Sequence, residues 1–237
     1  MTWLWRICFS GLWLLPVWCA SVRGSVQLTD SRDPSVRHHN FKDVVVWLEP
    51  ADGAPAGRIP PRHYVMEQKD KHFKPHVLAI PVGSTVDFPN HDPIFHNVFS
   101  NYDGQTFDLS LYRPETSRSE VFKRPGIARV FCNIHPTMSA VIAVLDTPWF
   151  DVSKASGDFE IREVPPGNYT LHIFHERATE ETLNALTQPV SVEKTAPLVL
   201  KTIHISETGY IPAPHKNKWD KDYPPLIDDQ PAYRPNP

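Results

Sequence analysis

Apolar residues in the first two thirds of this chain come in short runs broken by turn residues, with none of the 3.6-residue recurrence of an amphipathic helix. Val44 to Leu48 is a β-branched and aromatic run that stops at Glu49-Pro50, and the proline- and glycine-rich stretch 51–61 after it reads as loop. Val77 to Val82 and Thr85 to Phe88 flank the turn pair Gly83-Ser84. His96 to Ser100 reads as another short strand, and Glu120 to Phe122 leads into the turn Arg124-Pro125-Gly126. Ala128 to Phe131 and Ser139 to Leu145 then bracket residues 132–138. Strands at such close intervals predict an all-β sandwich.

A second, smaller unit follows. Gly157 to Ile161 and Val164 to His175 read as strand, Pro-Gly turn and strand, with further short strands at Val190 to Val192 and Thr202 to Ile205. Glu180 to Leu186 has room for one or two helical turns. Beyond Ser206 the chain is rich in proline and charge, with little to bury, and is expected to be extended.

The N-terminus carries Arg6, an apolar run from Ile7 to Ala20, and small residues from Ala20 to Ser25. This is the pattern of a secretory leader, cleaved between Ala20 and Ser25 with Gly24 as the expected last residue. At about fourteen residues the run is short for a membrane span of roughly 20, so no stable span is expected in the mature protein. An uncleaved anchor is the alternative. The chain thus divides into a leader at 1–24, a sandwich at 25–148, a second sandwich at 149–206 and a tail at 207–237. Export to the periplasm or beyond follows.

A formal charge of −3 is not the strongly basic balance that nucleic-acid binding needs. Cleavage of the leader removes Cys8 and Cys19 and leaves Cys132 as the single cysteine of an exported protein. Exported cysteines are usually paired, so this one needs a reason. Cys132-Asn-Ile-His135-Pro-Thr-Met138 supplies one, because thiolate, imidazole and thioether fall within a single interstrand loop that can fold around an ion. His96 is the best candidate for a fourth ligand. His91, in the turn-like Asn90-His91-Asp92-Pro93, is its rival, while His38, His39, His63, His72 and His76 sit among charged residues and read as surface. At least one of His172 and His175 is expected to be a structural hydrogen-bonder. Two imidazoles, a thiolate and a weak thioether suit copper cycling between two oxidation states, although a thiolate–imidazole set also accommodates zinc.

These residues resemble the cupredoxins, and among them the short-loop amicyanin type. The likeness rests on the Cys-x-x-His-Pro-x-Met form of Cys132, His135, Pro136 and Met138, on the His96-Asn97 pair, and on the approach Val86 to Asp92. It covers roughly residues 70–146, with the insertion between Asn101 and Ser119 as a departure. The resemblance implies a Greek-key sandwich with one copper per chain. It implies too that Asn97 ties the two ligand loops together, and that His135, rimmed by Ile134 and Pro136, is an electron port facing a redox partner protein. Gly157-x-Phe159 and Val164-Pro-Pro-Gly167-x-Tyr169 resemble small transthyretin-like, carboxypeptidase-regulatory-like β-sandwiches. The pairing of the two modules resembles periplasmic proteins labelled methylamine-utilization-like, a label that does not specify a function. One-electron carriage is the expectation, with copper storage, delivery or sensing as the alternative. No catalytic grouping stands out, since Cys132 and His135 lack the surroundings of a thiol hydrolase.

Overall fold

Successive side chains of a strand point to opposite faces, and Thr85–Pro89 follows that rule: Val86 and Phe88 are fully buried while their neighbours are partly exposed. In the computed structural model, which describes residues 19–57, 60–101, 105–212 and 215–223, this strand lies between Ser117–Val121, antiparallel, and His63–Val65, parallel. The facing sheet runs in the order Val77–Pro81, Ser139–Leu145, Gly126–Phe131, Phe99–Ser100, Phe107–Asp108. Ile80, Val86, Phe88, Phe122, Val130 and Ile142 fill the space between the two sheets, and Cys132 and Met138 belong to the same core.

The run Ser139–Leu145 does not alternate because both of its faces are buried. Ala140, Ile142 and Val144 face the first core. Val141, Ala143 and Leu145 pack with Val45, Val77 and Ala79 in a separate apolar cluster, which forms the seam with a second sandwich. An ion pair between His76 and Glu176, 2.8 Å, crosses the same seam.

The second sandwich recruits the start of the chain. One sheet sets Ala20–Thr29 antiparallel to Asp158–Val164 and parallel to Leu198–Val199 and Ile203–Ser206. The other is ordered Phe150–Val152, Val45–Pro50, Gly167–Phe174, Gln188–Val192. Val22, Val26, Leu28, Leu48, Phe159 and Leu171 are buried between them. The division at residue 148 therefore does not match the strand pairing: residues 20–50 lie with 149–206, and the sandwich of residues 63–145 is inserted between these two parts. The physical reason is legible after the fact, because Val22, Val26 and Leu28 fall on one face of the first strand.

A leader ending at residue 24 conflicts with the same pairing, which already includes Ala20 to Gly24. Gly24 serves packing here: a Cβ at this position would lie 2.6 Å from the Phe159 ring. Residues 1–18, which hold most of the expected leader, lie outside the described residues. Among the described residues no helix is long and apolar enough to cross a membrane. Glu180–Leu186 is helical, as its composition suggested, with the Thr179 hydroxyl accepting from the Thr182 amide and two glutamates in the first turn.

The tail departs from its expected extended state. Glu207 is buried and accepts hydrogen bonds from Ser31 Oγ (2.6 Å), His175 Nε2 (3.0 Å) and Arg177 Nε (3.0 Å). Residues 215–223 pack on the 132–138 loop, with Asn217 buried. Residues 224–237 lie outside the described set.

Two stability predictions follow from this architecture. A chain that begins at Ser25 should unfold at lower urea than one that begins at Ala20, because it loses the buried Val22 side chain, worth about 1.5–3 kcal/mol, and most of the pairing to Asp158–Val164. Equal midpoints would show that Ala20 to Gly24 is dispensable. Burial pushes the Glu207 carboxyl up, but its three donors outweigh that and hold it at about 2. Its stabilisation is therefore complete above the ordinary value of 4.5 and fades as pH falls toward 2. Glu207→Gln should cost about 2 kcal/mol or more at pH 7, and the gap to the parent should narrow across that acid window. A gap that does not change with pH would disprove the account.

Candidate metal centre

The antiparallel pair Gly126–Phe131 and Ser139–Leu145 sets Phe131 opposite Ser139, so residues 132–138 must close the turn between them. Within that turn the Cys132 amide donates to Met138 O (3.1 Å) and the Met138 amide to His135 O (3.0 Å). These bonds fold the loop back on itself and point the Cys132 sulfur inward. His96 arrives from the other direction. It sits three residues before Phe99, which pairs with Phe131, and its backbone exchanges hydrogen bonds with Tyr112 at 3.2 and 2.8 Å.

The result is a three-donor cluster of His96, Cys132 and His135, with ligand atoms within 4.8 Å of one another. Cys132 Sγ is 3.7 Å from His96 Nδ1 and 3.5 Å from His135 Nδ1. Metal bonds of about 2.3 Å to sulfur and 2.0 Å to nitrogen would separate such atoms by about 3.5–3.7 Å at tetrahedral to trigonal angles. The cluster thus has the dimensions of a metal site. His96 and Cys132 are fully buried, and His135 is half-buried. Met138, also fully buried, belongs to the same loop and the same core as Cys132.

The surroundings fix which atoms face the centre. His96 Nε2 donates to Asp92 Oδ2 at 2.7 Å, which leaves Nδ1 with its lone pair toward the sulfur. Asp92 is itself held by the amides of Asp70 (2.6 Å) and Lys71 (2.9 Å). Asn97 Oδ1 accepts from the Asn133 amide at 3.3 Å, and its Nδ2 donates to Asp108 at 2.7 Å, so one side chain links both loops. Pro136 is half-buried between His135 and Met138. Burial pushes the Cys132 thiol up, opposed by the amides of Asn97, Ile134 and His135, which favour the thiolate. Burial also lowers His96, against the pull of Asp92. His135 is pushed down to about 4 by burial and by the neighbouring His96 and Lys71. Two imidazoles held neutral are the state a metal ion needs, whereas the Cys132 thiol, held up by burial, must release its proton when an ion binds.

His91 is not part of the cluster and instead lies 3.8 Å from Glu67. Among the described residues no other group of three His, Cys, Asp or Glu side chains forms a metal-sized cluster. His175 is a buried hydrogen-bonder to Glu207. The sequence reading missed Asp92. Asn90-His91-Asp92-Pro93 looks like a solvated turn, yet Asn90 and Asp92 are buried; the Asp92-to-His96 spacing of four was the only clue. Nor did the sequence show that residues of the tail reach this loop.

No protein-family model matches the chain. Over 60 residues it is 42% identical to the methylamine utilization protein MauL of Methylorubrum extorquens. The match covers 25% of this chain and 53% of that protein, so the chain spans about half the length of the curated relative it matches. Similar solved structures include a purple cupredoxin from Nitrosopumilus maritimus, with 24% identity over 35% of this chain and 98% of that one, TM-score 0.31. An oxidised amicyanin variant is 21% identical over 34% and 80%, TM-score 0.33. The copper-containing nitrite reductase of Thermus scotoductus SA-01 is 27% identical over 48% and 27%, TM-score 0.34.

Removing the Asp92 carboxylate should loosen any ion held by these donors. Partners of this kind are worth about 10–100-fold in metal affinity, so Asp92→Asn should bind Cu(II) or Co(II) that much more weakly in a chelator competition titration. An unchanged affinity would mean that His96 is oriented by its backbone alone.

Proposed function

We propose that this chain, whose ligand-bearing sandwich is of the cupredoxin family, holds one copper ion through His96 Nδ1, Cys132 Sγ and His135 Nδ1, with the Met138 thioether as a weak fourth ligand, and carries one electron at a time. The observation that supports this most is the ready-made triad: three donors of the right kinds, at metal-binding separations, with His96 and Cys132 fully buried. Copper bound by such a set supplies a Cu(II)/Cu(I) couple tuned by the axial thioether and by hydrogen bonds to the sulfur.

The chain's own residues supply the conditions for fast exchange. The loop bonds of Cys132, His135 and Met138, together with the Asn97 tie, hold the donors in one arrangement whatever the charge at the centre. Little rearrangement then accompanies gain or loss of an electron. His135 is the donor nearest to solvent, beside Ile134, which is 39% exposed, and half-buried Pro136. We assign this small apolar rim as the docking surface for a redox partner protein, with the His135 ring edge as the port. The second sandwich, which resembles carboxypeptidase-regulatory-like domains, braces the first through the Val141, Ala143 and Leu145 seam. Arg6 and the apolar run after it assign the protein to an exported compartment, with processing at or before Ala20 so that the first strand stays whole.

The test is to add one equivalent of Cu(II) to a chain beginning at Ala20 and record visible and EPR spectra. An intense thiolate-to-copper band with narrow hyperfine splitting is expected. Cys132→Ser should abolish it, while Met138→Leu should keep the colour and shift the potential by about 60 mV for each tenfold change in relative affinity for the two oxidation states. A colourless protein that holds zinc through the same residues would rule out electron carriage. Reversible oxidation with retention of the ion separates a carrier from a protein that stores or hands on copper.

A further inference from the structure

Two features set this chain apart from a minimal sandwich of its kind: the insertion between Asn101 and Ser119, and the tail after Ser206. The structure brings them together on the ligand loop. Residues 215–223 form a compact turn organised by Asn217, whose Oδ1 accepts from the amides of Trp219 (3.0 Å) and Lys221 (3.1 Å). The turn is closed by the Asn217 amide donating to Lys221 O (2.9 Å) and the Asp220 amide to Asn217 O (2.9 Å).

Three contacts fasten this turn to the loop that carries the thiolate. Tyr223 Oη donates to Cys132 O at 2.7 Å. The Lys218 amide donates to Asn133 Oδ1 at 2.9 Å. The His215 ring stacks on Phe131, the residue before Cys132, with centroids 4.1 Å apart and planes 27° apart. A fourth contact closes a circuit through the insertion. Lys218 Nζ pairs with Asp108 Oδ2 at 2.7 Å, Asp108 Oδ1 accepts from Asn97, and Asn97 accepts from the Asn133 amide. The Tyr223 hydroxyl spends its proton on Cys132 O, so at its 3.2 Å contact His215 Nδ1 must be the donor.

We infer that residues 215–223 are a strap that clamps the ligand loop from outside, and that Tyr223 is a positioning residue for Cys132. Even with its internal bonds and the Asn97 tie, a loop of seven residues can open locally, and each opening exposes the Cys132 sulfur and releases one donor. Tyr223 and Lys218 bind the loop at Cys132 and Asn133, the end that carries the sulfur, and His215 also reaches the Pro136 backbone, while Ile134 stays 39% exposed and His135 half-buried. The strap therefore restrains the sulfur without closing the exposed edge. The contacts of the strap do not depend on a bound ion. Only the effect on copper release rests on the function proposed above.

The experiment uses the chain beginning at Ala20 and two variants, Tyr223→Phe and a chain ending at Pro212. In the reduced, metal-free proteins the rate of alkylation at Cys132 is followed by mass spectrometry, beside the thermal midpoint. One net hydrogen bond of about 0.5–1.5 kcal/mol corresponds to about a 2–13-fold rise for Tyr223→Phe, with a midpoint lowered by no more than about 1–6 °C. The chain ending at Pro212 should exceed it. The copper-loaded proteins should lose the ion to a chelator faster in the same order, with a displaced charge-transfer band in Tyr223→Phe. Unchanged alkylation in both variants overturns the strap, and so does alkylation whose rate climbs with urea as steeply as global unfolding, which would mark general destabilisation rather than local opening. If alkylation rises while no thiolate-to-copper band forms in the parent, the strap stands and the copper assignment falls.

Discussion

The register that sets Phe131 opposite Ser139 governs the cluster of His96, Cys132 and His135. It fixes the length of the turn at 132–138 and so forces Cys132, His135 and Met138 into one short loop whose ends cannot move apart. The same Phe131 pairs with Phe99, which brings the His96 segment alongside, and its ring carries the stacked His215 of the tail. Three separate stretches of chain thus converge on one residue of one strand. A slip of one position would turn Val130 outward and send the cluster of donors to the wrong face.

That strand pair is itself held from both sides. Ala140, Ile142 and Val144 anchor it in the ligand-bearing core, while Val141, Ala143 and Leu145 anchor it against the second sandwich. Burial on both faces makes Ser139–Leu145 the stiffest support available for a site whose task, as proposed, requires donors that stay in place. The role of the second sandwich is explicable in these terms. It covers the outer face of the strand that closes the ligand loop, and it does so with strands drawn from both ends of the chain.

The electrostatics of the centre follow from burial more than from charge pairing. His135 and His96 are kept neutral because their charged forms would be desolvated. Asp92 does not hold His96 protonated at both nitrogens; it takes one proton of the ring and leaves the other nitrogen available. Around the sulfur, backbone amides provide the opposing stabilisation of negative charge. The imidazoles are therefore prepared for a cation by the chain alone, while the Cys132 thiol gives up its proton only as an ion binds.

Local pattern was enough to read the strands of the first sandwich and to single out the loop 132–138, because alternation, turn residues and residue spacing are properties of neighbours in sequence; the His96-Asn97 pair stood out only through the family resemblance. Three matters were beyond it. Residues 20–29 look like the end of a leader until their partner strand Asp158–Val164 is known, since a strand with no visible partner is only a polar stretch with three apolar residues on one side. Asp92 looks solvated until the loops that bury it are in place. The tail looks unable to bury anything because what it covers, Phe131, the Cys132 carbonyl and the Asn133 side chain, lies more than 80 residues away in sequence. Sequence determined the strands and singled out His96, Cys132, His135 and Met138 on them, whereas long-range pairing and burial decided which segments surround those residues, and no local pattern carries that information.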